Sequence, residues 1–315
     1  PATPEIYTAG HSSAASDVYK RQLLLILLIQ CAMVVAMYWP RPQNINSVAG
    51  PLWRSADSGS VDKVRITDAS KQELVLQKSG ANWLLPGLHS LPADPEMVTG
   101  LLTALTSQSE EWPVAHSAAA RQRFQVADYL FQRRIELFSG SRALGTVYLG
   151  TSPGFRKVHA RHGGRDEIFA TSFNVFDAPA NGGDWIDARL LQIRTPMRVD
   201  ADTYSIHREG GEWRSGSGAS PDERELLALL SALRSLQVNG VANEVQTQQL
   251  QETEADLVLN IDSLSGKITL QLYRLAGVNF IRSSEYPVFF KLGNYAYDQL
   301  TSVDIERISG KHHAE

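Results

Sequence analysis

Apolar and polar residues alternate along much of this chain, and leucine stripes at helical spacing interrupt the alternation. Val61 to Asp68 and Glu73 to Lys78 keep a period of two on either side of Ala69-Ser70-Lys71-Gln72, which predicts a hairpin. Trp83 follows on a short third segment. Asp94-Pro95-Glu96 predicts a helix start: an N-cap acceptor, proline at the first helical position and an acid that complements the helix dipole. Val98, Leu101, Leu102 and Leu105 then share one helical face. After a loop near Pro113, strands are predicted over Tyr129 to Phe138 and Ala143 to Leu149, around Ser139-Gly140. A second pair is predicted over Val158 to Arg161 and Glu167 to Ala170, around Gly163-Gly164. Phe173 to Phe176 predicts a helical turn, and Ala178 to Gly183 breaks the pattern.

The same order then recurs. Arg198 to Asp202 and Tyr204 to Arg208 predict strands, and Trp213 follows. Ser220-Pro221-Asp222-Glu223 predicts a capping box, with Ser220 accepting from the backbone and Glu223 reaching back. Leu226, Leu229, Leu230, Leu233 and Leu236 form the stripe. Gln246 to Glu254 is polar and ambiguous between elements. Asp256 to Asp262 and Lys267 to Leu275 flank Ser263 to Gly266 as a hairpin. Asn279 to Arg282 and Val288 to Leu292 predict further strands, and Tyr295 to Leu300 a short helix.

The wording itself repeats. Leu101 to Ser107 matches Leu229 to Ser235 at an offset of 128 residues. Gly80-Ala81-Asn82-Trp83 matches Gly210-Gly211-Glu212-Trp213 at 130, and Ala127-Asp128 matches Ala255-Asp256 at 128. Matches that keep order and spacing predict a duplicated module. The expected class is α+β: two related, mostly antiparallel modules over 61–195 and 196–310, each made of hairpins and one amphipathic helix. The repeat also makes Trp83, Trp213 and the leucine stripes core residues. It leaves Val114 to Val126, Ala178 to Arg194 and Gln246 to Glu254 as the unrepeated places to seek a partner surface.

Leu23 to Met37 departs from both periods. It is apolar on every face except at Gln30, and Tyr38 and Trp39 follow it. This predicts a single-pass inner-membrane anchor over 23–39, with an interfacial aromatic pair at its far end. Lys20 and Arg21 would hold the N-terminus in the cytoplasm and send the body into the periplasm. A cleaved signal peptide would need small residues where Met37-Tyr38-Trp39 stand. A lipoprotein box would need a small residue in place of Gln30 before Cys31. Residues 40–60, rich in Pro, Asn, Ser and Gly, read as a linker, and 311–315 as a polar tail. Residues 1–22 begin without Met, and Ser16 to Gln22 resembles adapter read-through, so the orientation rests largely on the body.

Composition narrows the function classes. The 315 residues carry a net charge of −4, with no basic excess for nucleic acid. Cys31 is the one cysteine, so neither an internal disulfide nor a multi-cysteine metal site can form. His159-x-x-His162 with Asp166 and Glu167 is the nearest approach to a metal cluster, but a hairpin would point His159 and His162 to opposite faces. Gly150-Thr151-Ser152-Pro153-Gly154 lacks the Gly-Lys-Ser/Thr ending of a phosphate loop and reads as a turn. No Gly-x-Ser-x-Gly elbow occurs. Asp184, Asp187 and Glu167 are scattered carboxylates without a motif. Arg133-Arg134 and Arg156-Lys157 read as solvated strand faces, with a basic patch toward anionic head groups or glycans as the alternative. No catalytic, cofactor-binding or metal-binding residue is assigned.

Together the anchor, the Gly-x-x-Trp strand ends, the proline-started Leu-Leu-x-x-Leu helices, the Ala-Asp entries and Trp185-Ile186-Asp187-Ala188-Arg189-Leu190-Leu191 resemble the bacterial domain-of-unknown-function family 4340. The likeness runs from about Val61 to Leu300. It implies a membrane-anchored extracytoplasmic protein, a type often encoded beside an ABC transporter permease and a gliding-motility-type auxiliary subunit. It brings no catalytic residues. The expected function is therefore a non-enzymatic accessory of an ABC-type transporter or envelope complex. One alternative is an anchored glycan- or lipid-binding module with Trp83 or Trp213 as platform. Another is a periplasmic hydrolase, which requires His159, His162 and Asp166 to converge.

Overall fold

The computed structural model describes residues 13–38, 58–106, 112–154 and 156–311, with side chains described over 21–33 in the first stretch. The expected linker and tail lie almost wholly outside these residues, and Trp39 at the end of the expected anchor also lies outside. The chain divides into two units, Pro1–Val48 and Ala49–Glu315. In the first, helix α1 (Ser13–Tyr38) carries Leu23 to Ile29 with every one of these side chains more than half exposed. Among the described residues no helix is long and apolar enough to cross a membrane. The expected anchor extends past Met33, where the described side chains stop.

The second unit opens with β1 (Lys63–Asp68), β2 (Glu73–Ser79), β3 (Asn82–Leu85) and β4 (Leu91–Pro92). Helix α2 (Pro95–Thr106) follows. Asp94 Oδ1 caps it, accepting from the Glu96 and Met97 amides at 2.8 and 3.3 Å. Val98, Leu101, Leu102 and Leu105 are all buried, each worth roughly 1.5–3 kcal/mol of transfer from water. Helix α3 (Ala118–Arg123) and the two-stranded β5 (Val126–Ala127) and β6 (Leu130–Phe131) come next. Then follow β7 (Arg133–Ser139), β8 (Arg142–Leu149), β9 (Val158–His162) and β10 (Ile168–Thr171).

The second half contains β11 (Pro196–Asp200), β12 (Ser205–Glu209), β13 (Glu212–Ser215), α4 (Glu223–Arg234), β14 (Val238–Val241) and α5 (Glu244–Gln251). It continues with β15 (Leu257–Ser263), β16 (Gly266–Leu275), β17 (Val278–Ser283), β18 (Phe289–Leu292), α6 (Asn294–Thr301) and α7 (Ile305–Ile308). The class is mixed α+β, and the strand pairs are antiparallel.

Two eight-stranded sheets result. Their orders are β10-β9-β8-β7-β1-β2-β3-β4 and β13-β12-β11-β15-β16-β17-β18-β14. Reversed, the second reads β18-β17-β16-β15-β11-β12-β13, the same plan as the first seven strands of the first sheet. Each sheet is therefore two meanders joined at a centre that pairs strands distant in sequence, Ile66 with Ile135 and Val199 with Ile261. The sheets differ at their ends. β4 extends the first beyond β3, whereas β14 extends the second beyond β18.

Local chemistry departs from expectation at two helices. Helix α4 begins at Glu223 and is capped by Asp222, whose Oδ1 accepts from the Arg224 and Glu225 amides at 3.1 Å. Ser220 lies outside the helix, so the expected capping box does not form. The aspartate wins because its carboxylate serves two amides while the chain at 220 turns toward Gly310. The polar stretch around Gln246 is helix α5, and there a capping box does form between Asn243 and Gln246. The amphipathic signal was weak because only Leu250 of this helix is buried.

Much of Ala178 to Arg194 forms an internal seam. Trp185 is fully buried, and Ile186, Leu191 and Ile193 are nearly so. Asp94 N donates to Trp185 O at 2.7 Å and Asp187 N to Pro92 O at 3.0 Å, which ties the seam to the first sheet and α2. Ile193 N donates to Leu233 O at 3.0 Å and Val238 N to Ala188 O at 2.9 Å, which ties it to α4 and β14. One hydrophobic core runs through both halves along this seam.

Candidate functional site

Strand β9 displays its two histidines on opposite faces, as a period of two requires. His159 sits on the side of Tyr148 and Arg161, stacked on Phe124 with ring centroids 4.0 Å apart. Its Nδ1 lies 2.8 Å from Thr151 O and 3.0 Å from Thr151 Oγ1. His162 pairs across from Val147, on the core side. Burial, aided by the charge of Arg165, pushes its pKa down to about 4, with Glu167 opposing. Asp166 is exposed and bonded to Arg121 of α3. The three groups diverge. Among the described residues no cluster of three or more His, Cys, Asp or Glu could hold a metal ion.

The remaining sequence candidates are equally separate. Asp187 Oδ1 accepts from the Arg189 amide and Nε, and Asp184 Oδ1 accepts from Asn181 Nδ2. Both belong to the seam, whereas Glu167 precedes β10. Trp83 is buried and Trp213 is half-buried against the core, so neither ring is an open platform.

Sequence reasoning missed Arg161. It is 3 % exposed, and its guanidinium is enclosed by acceptors. Nε donates to Val126 O at 2.6 Å, Nη1 to His162 O and Arg165 O, and Nη2 to Asp128 Oδ1 at 2.6 Å. The charge also lies over the Tyr148 ring, 4.7 Å from its centroid. This side chain pins the β5–β6 ribbon to the first sheet. An arginine on a strand otherwise looks like a solvated residue, so no sequence signal marks it.

One hollow lies at the end of the first sheet, lined in part by Phe173 to Phe176. It is a cavity of about 560 Å³ whose wall includes Arg133, Arg156, Lys157, Gln125, Gln132 and Phe176. Among the described residues none that lines it is acidic. Arg133 is held in place by two carbonyls, Nε donating to Ala178 O and Nη1 to Gln132 O, both at 2.9 Å. Gln132 Nε2 donates to Gln125 Oε1 at 3.3 Å. Gln125 and Arg156 both have φ in the left-handed region, at 55° and 57°. Gly150 completes the wall because nothing larger fits: a Cβ there would stand 1.9 Å from Phe124 O. Arg134, next to Arg133, faces the other way and lies over the Phe131 ring. The two dyads Arg133-Arg134 and Arg156-Lys157 thus contribute unequally, with Arg134 outside the cavity wall. Near Arg133, Asp68 is committed elsewhere. Burial opposes its charge, but bonds from Ser70 and Gln72, helped by Arg133, hold its carboxyl below the usual carboxylate range.

A second hollow, about 500 Å³, is formed in the second sheet by β16, β17 and the turn to β18. Arg282 and Glu285 both line it, so its charge is mixed.

The model of the family described as Domain of unknown function (DUF4340) matches residues 83–256, and the chain belongs to this family. The match opens at Trp83 in the first sheet and closes at Asp256, one residue before β15 in the second. No curated protein and no solved structure matches the chain.

Proposed function

We propose that this chain is a single-pass inner-membrane protein with a periplasmic body, acting as a non-enzymatic accessory of an ABC-type transporter or envelope complex. One observation carries the membrane part. Leu23 to Ile29 expose 53–68 % of their surface on every side of α1. Leaving such a run in water costs about 25 cal/mol for each Å² of apolar surface, and lipid removes that cost. The body supports the accessory part by its construction. Two sheets of one plan share a closed core, and the sequence repeats at Trp83 and Trp213 fall on β3 and β13, equivalent strands. A duplicated module whose sequence-candidate His and carboxylate groups lie apart from one another suits a scaffold that other subunits grip.

The test is fractionation followed by detergent co-purification. The chain should stay with inner membranes after alkaline extraction, and its body should be open to protease only from the periplasmic side. It should bring down a permease or an ATPase subunit. Release by alkali would sink the anchor, and repeated purification without any transporter subunit would sink the accessory role.

A further inference from the structure

The hollow on the second sheet sets two opposite charges in one wall. Arg282 and Glu285 both line it, together with Thr269, Gln271, Ser284 and Tyr286. Among the described residues neither forms an ion pair, so their N···O separation exceeds 4.0 Å. Burial raises the pKa of Tyr273 and of Tyr286; Arg282 opposes it at the first, while Glu285 and Asp187 add to it at the second. Each charge thus lies near a neutral ring. The Arg282 guanidinium stands over Phe289, 5.2 Å from the ring centroid. Glu285 sits on a turn fixed by buried Ser283, whose Oγ accepts from the Glu285 amide at 3.2 Å and whose O accepts from the Tyr286 amide at 3.3 Å. Gln271 Oε1 accepts from Tyr273 Oη at 3.2 Å, which leaves its Nε2 as a donor. Ser284 Oγ accepts from the Thr269 amide at 3.0 Å, which leaves its O–H as a donor. The Tyr286 ring is set edge-on to Phe290, with centroids 6.0 Å apart.

We propose that this hollow binds a free α-amino acid, with Arg282 on its carboxylate, Glu285 on its ammonium group, and Tyr286 and Pro287 against its side chain. A lone anion would be drawn to Arg282 and repelled by Glu285, and a lone cation the reverse; a zwitterion is attracted at both ends. Arg282 and Glu285 are three residues apart, so their Cα atoms lie within about 11 Å. An α-amino acid keeps its two charges about 3 Å apart, and a charge-assisted bond of about 2.8 Å at each end brings the span to about 8 Å. That span is longer than a direct ion pair and within reach of both side chains. The volume of about 500 Å³ is in the range of small-ligand pockets. The hollow belongs to the body, and its chemistry is independent of the anchor and of the transporter assignment.

The test uses the full chain in detergent micelles, titrated with L-serine and followed by ligand-observed nuclear magnetic resonance at fixed ionic strength. Lactate keeps the carboxylate without the ammonium, ethanolamine keeps the ammonium without the carboxylate, and glucose carries hydroxyls alone. L-serine should bind saturably, and the other three at least about tenfold more weakly. R282Q and E285Q should each weaken L-serine about tenfold while melting like the parent, since both side chains are exposed. R282Q should remove the remaining preference for lactate over glucose, and E285Q that for ethanolamine. K267Q, outside the hollow on the same strand, should leave the affinity unchanged. Absence of a saturable response to L-serine, a response to lactate, ethanolamine or glucose equal to that of L-serine, or unaltered affinity in R282Q and E285Q would overturn the proposal.

Discussion

Replacing Gly150 with alanine should unsettle the first sheet far more than one methyl group suggests. Its φ is not in the left-handed region, so the constraint is space alone. The added Cβ would stand 1.9 Å from Phe124 O and 2.6 Å from Gln125 O, both backbone atoms that cannot swing aside. Relief requires the chain at 124–125 to retreat. That movement breaks the bond from Thr151 N to Phe124 O, 2.9 Å long, and loosens the stacking of Phe124 on His159. Overpacking of this kind costs about 1–3 kcal/mol, and the lost hydrogen bond about 0.5–1.5 kcal/mol. The expected loss is about 2–4 kcal/mol, or about 5–15 °C in melting temperature for a body of this size. Thermal unfolding followed by circular dichroism measures it. Gly87→Ala is the control, because nothing lies within 4 Å of its Cβ and its φ is ordinary. A Gly150→Ala protein melting within about 2 °C of the parent would refute the steric argument.

Three further outcomes follow from the same geometry. His162 is kept neutral in the fold, with a pKa pushed down to about 4, so the unfolded chain binds the proton first. Stability should therefore decline as pH falls from about 6.5 toward 4, by about 2–3 kcal/mol at most, and level off below. His162→Asn should flatten that decline, and urea titrations across the pH range would expose an unchanged slope. Arg161→Met should cost about 1–3 kcal/mol, because Val126 O and the His162 and Arg165 carbonyls lose their donor, while Asp128 is exposed and returns to water. Arg161→Lys should rescue little, since one ammonium cannot span those acceptors; full rescue in chemical denaturation would contradict this. Asp222→Ala should lose about 1 kcal/mol as a cap, whereas Ser220→Ala should stay within about 0.5 kcal/mol; the reverse ranking would restore the capping box at Ser220.

Much of the fold was legible because its periods are regular. The hairpins at Ala69-Ser70-Lys71-Gln72, Ser139-Gly140 and Ser263 to Gly266 appear where alternation and turn residues predict them. The stripes of α2 and α4 are buried as their spacing predicts. Short elements escaped. β14 interrupts its own pattern with Asn239 and Gly240, and α7 spans only Ile305–Ile308. The cavity was legible only as two basic dyads. Which arginine of Arg133-Arg134 faces the cavity depends on strand phase, and Phe173 to Phe176, which also line it, come from a separate element. The burial of Ala178 to Arg194 was hidden for a related reason. A segment without period has no face to read, and its partners at Pro92, Leu233 and Val238 come from both halves of the body.

The central pairings also govern how this chain reaches its fold. Meanders such as β7–β8 and β15–β16 close over tight turns and can zip within about 1–10 μs. Joining β1 to β7, or β11 to β15, must wait until a long intervening loop has been searched, and that entropy is spent before the new ladder returns anything. Until then four half-sheets exist, and each exposes an unpaired central edge of the same plan as its counterpart in the other half. β1 meeting β15, or β11 meeting β7, would be the natural error. The parts that differ between the halves, β4, β14 and the α3–β6 insertion, are therefore well placed to reject the wrong partner during assembly.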